Sequence, residues 1–131
     1  MKSKGKARKI EDRTVLVFKD GKKLAIRKRP GKGLLAGLYE FPNEKGHLTL
    51  DEVSAYSKKI GLMPVRIKEL GQAKHIFSHI EWHMTGYEVI VDELEQTNER
   101  GFLFILPEEI EQEYPIPSAF EYYTRYAGIG R

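Results

Sequence analysis

The segment KHIFSHIEWHM, residues 74–84, places three histidines, His75, His79 and His83, at intervals of four. On a helix this spacing stacks three imidazoles on one face, and imidazole is a good ligand for a cation such as zinc. The residues between them speak against a helix. Ile76, Phe77, Ile80, Trp82 and Thr85 are β-branched or aromatic, and no start or stop signal frames a helix between Gly71 and Gly86. On a strand, residues four apart share a face but lie about 13 Å from one another, too far for one ion. The glutamate of an H-E-x-x-H site is also missing. The expectation is therefore no metal and no cofactor in this chain.

Two extended runs broken at Ser78 fit the segment better. The break itself has two readings. In one, Phe77 belongs to the core and Ser78-His79 is an ordinary turn. In the other, the turn offers an aromatic face, a hydroxyl and an imidazole, which are the parts needed to grip a nucleobase. Composition does not choose between them.

The surrounding elements must position that break. TVLVF and KLAIRKR flank Asp20-Gly21, a hairpin signal. The Gly-rich loop RPGKGLLAG follows, and LYEFP resumes extended structure up to Pro42. Thr49 with Glu52 makes a capping box, and Gly61 a stop, for a helix at about 50–60 that turns Leu50, Val53, Tyr56 and Ile60 to one face. Strands are expected at about 65–70, 87–91 and 102–106, then a short acidic turn from Pro107. Ser118 and Glu121 suggest a second capping box for a last helix at about 118–126, with Phe120, Tyr123 and Tyr126 inward. Strands around one good helix and a terminal helix make an α+β domain with a mixed or antiparallel sheet.

Charge and composition narrow the partners. The chain has 131 residues, enough for one domain, and no Cys, which excludes disulfides, thiolate metal sites and iron–sulfur ligation within it. No apolar run approaches a membrane span and the basic N-terminus lacks the apolar stretch of a signal peptide, so an intracellular protein is expected. Residues 1–32 hold 13 Lys and Arg against three acids, a charge of +10, while residues 33–131 carry −7. Such asymmetry suits an anionic partner, nucleic acid above all, although a basic tail can also be a solvated linker. Arg27, Lys28, Arg29, Lys32 and Lys74 are the candidate phosphate contacts; the same charges could instead guard a strand edge.

Taken in order, LAIRKRPGKGLLAGLYEFPN, FSH followed by Trp82, and YPIPSAF resemble the C-terminal domain of MutY-type adenine DNA glycosylases. The likeness runs from about residue 13 to 127, and residues 1–12 resemble the basic interdomain linker. Met1 within that linker is expected of a fragment of a longer protein. The resemblance implies a Nudix-like fold over residues 13–131, related to the hydrolase that clears oxidised guanine nucleotides. It implies a base-excision-repair domain that senses 8-oxoguanine opposite adenine while a separate catalytic domain, the one holding an iron–sulfur cluster, excises the adenine. The parent would thus hydrolyse an N-glycosyl bond and this segment alone would not. The implied partners are double-stranded DNA with 8-oxoguanine:adenine mispairs and the parent's catalytic domain. A monomer is expected, with no membrane, in cytoplasm or nucleoid if bacterial. Phe77 would be a wedge beside the lesion, Ser78 a hydrogen-bond partner of its imidazole edge and His79 a support for the loop and backbone.

The alternative is Nudix hydrolysis of an oxidised or other nucleoside diphosphate derivative. That chemistry needs magnesium on carboxylates, in the pattern Arg-Glu-apolar-x-Glu-Glu-x-Gly. Anchored on Gly61, this chain reads Ser54-Ala55-Tyr56-Ser57-Lys58-Lys59-Ile60-Gly61. Two lysines stand where the glutamate pair belongs. Asp51 and Glu52 remain, at a helix start where capping and the dipole explain them.

Overall fold

The computed structural model describes residues 8–92 and 101–129. The elements run β1 (Lys9–Asp20), β2 (Lys23–Lys28), β3 (Tyr39–Glu40), β4 (Asn43–Lys45), α1 (Leu50–Lys59), β5 (Met63–Ile76), β6 (Ile80–Asp92), β7 (Leu103–Ile105) and α2 (Pro107–Glu113). A 3₁₀ turn, Ser118–Phe120, then leads into α3 (Glu121–Tyr126). One seven-stranded sheet has the order β3-β2-β1-β6-β5, with β4 added to β1 and β7 to β2. β1 and β6 run parallel at its centre, and the other pairings are antiparallel. This is the mixed α+β architecture expected from the sequence.

The run Val15-Leu16-Val17-Phe18 is apolar throughout because β1 is covered on both faces. Val15 and Val17 join Phe41, Trp82, Phe120 and Tyr123 under the C-terminal elements. Leu16 and Phe18 join Val53, Tyr87 and Val89 under α1. The α1 capping box is formed in both directions, Glu52 N–H to Thr49 Oγ1 at 3.2 Å and Thr49 N–H to Glu52 Oε1 at 2.8 Å. Leu50, expected on the packed face, is exposed in the first turn, while Ser57 is buried and donates to the Val53 carbonyl.

Three further expectations are corrected. β1 begins at Lys9, so residues 9–12, read as linker, form a strand paired in parallel with Ile80–His83. Their polar side chains carry no alternation because here backbone pairing, not burial, makes the strand; residues 1–7 of the arm lie outside the described residues. Ser118 caps nothing with its side chain, since the chain enters α3 through a 3₁₀ turn rather than a capping box. Tyr126 is exposed, with Lys68 Nζ near its ring, while Phe120 and Tyr123 pack inward as expected. Tyr123 reaches the sheet because Gly86 lies beneath it: a Cβ there would sit 2.3 Å from Tyr123 Cε1. The Tyr123 hydroxyl donates to the Gly71 carbonyl at 3.0 Å, fixing α3 to β5.

Candidate nucleic-acid interface

Residues 77–79 are the tip of the β5–β6 hairpin, which pairs from Ile76↔Glu81 back to Met63↔Asp92. Phe77 N–H closes the tip on the Ile80 carbonyl at 2.7 Å. Ser78 and His79 are exposed, and among the described residues no carbonyl takes the N–H of either. The His79 carbonyl accepts Lys9 N–H at 3.0 Å, so His79 touches the arm through its backbone while its imidazole faces solvent.

Phe77 is half-buried. Its ring meets Trp82 edge-on at 5.0 Å and His75 edge-on at 4.7 Å. The two readings of the break are thus both partly realised: an aromatic braced on the core, and two polar residues that project. The histidines diverge. His75 lies against Phe77, His79 is free at the tip and His83 meets Glu81 at 2.7 Å. Among the described residues no three metal-ligating side chains converge.

Trp82 is the anchor beneath the tip, fully buried, with its indole N–H donating to Glu11 at 2.9 Å. The guanidinium groups of Arg13 and Arg29 lie 4.8 and 5.7 Å from its ring, within cation–π range. Burial pushes the Glu11 carboxyl up, but Arg13, the Trp82 N–H and Lys45 outweigh it and hold the group below its ordinary range.

Two of the phosphate candidates, Arg27 and Arg29, pair with a buried carboxylate. Arg27 Nε meets Glu40 Oε2 at 2.9 Å and Arg29 Nη1 meets Glu40 Oε1 at 2.6 Å, with Glu40 itself buried. Arg27 also donates to the Asn43 carbonyl and Arg29 to the Leu34 carbonyl. A buried carboxylate requires such partners, so these two arginines are structural. Arg29 closes the Gly-rich loop, in which Leu35 adopts a positive φ of 54° so that Leu34 and Leu35 reach the core. Lys28 and Lys32 are exposed. Lys74 is exposed and pairs loosely with Glu81 at 3.7 Å.

Glu81 was not singled out by the sequence, yet it gathers the base of the tip. His83, Arg8 and Lys74 all surround its carboxylate. The His83 hydrogen bond is the main reason that carboxyl lies below its ordinary value, against desolvation, with Lys74 and Arg8 adding to it. Neither Glu81 nor Glu40 has a local motif to mark it; each is defined by partners from other segments.

On α1, Lys58 and Lys59 occupy the last turn, where cations complement the helix C-terminus. Tyr56 is pushed up to about 12 by burial and the nearby Glu44.

Residues 13–125 match the family described as the NUDIX domain. The chain is 34% identical to the adenine DNA glycosylase of Mus musculus over 83 residues, 56% of this chain and 15% of that enzyme. It therefore corresponds to a small part of that relative's length. The C-terminal domain of mouse MUTYH, solved in complex with human PCNA, superposes with a TM-score of 0.69 at 23% identity, covering 90% of this chain and 86% of that one. The MutT protein of Methanosarcina mazei gives 0.64 at 13% identity, with 95% and 96% covered. MutT from Bacillus halodurans gives 0.62 at 15%, with 88% and 80% covered. These likenesses establish the fold. With the match spanning residues 13–125 and the sheet, α1 and α3 all in place, the chain belongs to the NUDIX domain family.

Proposed function

We propose that this chain is the lesion-reading domain of an adenine DNA glycosylase, sensing 8-oxoguanine opposite adenine for a catalytic domain that flips and excises the adenine. The observation that carries the reading is the exposed Ser78-His79 tip, standing on Phe77 and Trp82, in a chain alike in sequence to part of such an enzyme. Oxidation turns guanine N7 into an N–H donor and adds a carbonyl at C8. Ser78 Oγ can accept from N7–H. The free N–H groups of Ser78 and His79 can donate to O8, and unlike a hydroxyl they cannot reverse roles. Phe77 supplies the apolar edge beside the base. Braced by His75 and Trp82, it enters a base step only through its outer edge or by leaving that seat.

The hydrolase reading is disfavoured. Lys58 and Lys59 would repel the magnesium that the reaction needs. Double-stranded DNA and the catalytic domain of the parent, with its iron–sulfur cluster, are the proposed partners.

The test is single-turnover excision by the parent enzyme carrying Phe77→Ala and Ser78→Ala. Loss of one or two tip contacts, at roughly 1–3 kcal/mol for an unpaired buried group, should cut the preference for 8-oxoguanine:A over G:A about 10- to 100-fold. An unchanged ratio removes the assignment.

A further inference from the structure

We infer a second DNA contact: a groove between β5 and the C-terminal elements that holds the phosphate backbone of the strand running on from the hairpin tip. This rests on the reading of residues 77–79 as a DNA-facing tip.

The groove has a volume of about 320 Å³, at the lower end of the ~300–1,000 Å³ typical of ligand sites. Gln72, Lys74 and His75 of β5 form one bank, and Ser118, Tyr122 and Arg125 the other. These six side chains carry polar groups suited to a phosphodiester, and two are cations, while Ala73 and Ala119 line the floor and the Glu121 carboxylate is the one opposing charge. The seat is rigid, because the Tyr123–Gly71 hydrogen bond and the close fit over Gly86 hold α3 to the sheet. It is also continuous with the tip: His75 lines the groove and its ring abuts Phe77.

Arg125 is held by Glu121 through a 2.7 Å pair in which both side chains are exposed. An exposed pair of this kind is weak, so a phosphate can displace the carboxylate and take the guanidinium. A peptide strand added along β5 is a poorer occupant. Register shifts between Pro64 and Arg66 and between Glu69 and Gln72 break that edge, as natural sheets do to prevent pairing. Lys74 is two residues from the end of β5 and four from Ser78 at the tip, a reach of at most about 13 Å of extended chain. At ~3.4 Å of axis per base step, the groove meets the backbone within about four steps of the lesion.

The test titrates the chain and its variants, across a range of salt, with two duplexes that differ only in 8-oxoguanine:A or G:A. Arg125→Gln should weaken binding of both duplexes equally, about fivefold, and lower the slope of log K against log salt by about 1. Glu121→Gln, which releases Arg125, should strengthen both. Ser78→Ala should change the ratio between duplexes without changing the slope. If Ser78→Ala acts but Arg125→Gln and Glu121→Gln do nothing, the groove is overturned and the tip reading stands. If the Arg125 and Glu121 effects appear without any difference between duplexes, the groove stands and lesion reading fails. Binding to neither duplex overturns both. Chemical-shift changes at Gln72 and Ser118 with free dGMP at concentrations where the duplex causes none would mark a mononucleotide site and overturn the strand assignment.

Discussion

Two basic regions lie within reach of the hairpin and use their charge in opposite ways. Arg13 and Arg29 turn inward over the Trp82 indole, Arg13 to Glu11, and Arg29 with Arg27 to the buried Glu40. Around the Gly-rich loop and β5, Lys28, Lys32 and Lys74 turn outward. The division runs between adjacent residues: Arg27 and Arg29 share Glu40, and Lys28 between them faces solvent. Alternation along extended chain sorts a run of like charges into structural and available groups. The side-chain types follow the same division. The guanidinium, planar and multiply donating, goes to the buried carboxylate, and the ammonium goes to water.

Removing a charge from each region should expose that difference. Glu40→Ala leaves two arginines partly buried without their carboxylate, and should cost on the order of 3 kcal/mol in urea unfolding. A variant as stable as the starting protein would mean that the arginines are free to serve DNA after all. Lys28→Ala with Lys32→Ala should alter stability by less than about 0.5 kcal/mol. It should instead lower the salt slope of duplex binding by about 2. A loss of stability here without a change in slope would erase the contrast.

The smallest expected effect concerns acid. The Glu81 carboxyl is held below its ordinary 4.5 chiefly by the His83 hydrogen bond. A depressed folded value means that its contribution is present above pH 4.5 and fades as the pH falls through the folded value. Glu81→Gln should therefore be slightly less stable than the starting protein near neutrality, and the two should converge in strong acid. A gap that widened on acidification would contradict the clasp of His83, Lys74 and Arg8 around that carboxylate.

Much of the fold was legible because it is local. The Asp20-Gly21 turn, the Thr49–Glu52 box and the apolar run at Val15 each announce themselves within a few residues. The break at Ser78 was equally plain. The role of Arg27 and Arg29 was not, because Glu40 lies 13 and 11 residues away and only the β2–β3 pairing brings them together. Lys9–Asp12 look like linker in isolation, since their partners, Ile80–His83, lie far along the chain. The groove on β5 needs α3 as its second wall, and no spacing in either segment foretells the other.

The bond between Lys9 and His79 has a mechanical consequence. The start of β1 is moored at Lys9 one residue from the point of the hairpin. Tension or rotation arriving along the chain would reach Phe77 and Ser78 directly, and a load on Ser78 would be felt along the same tether.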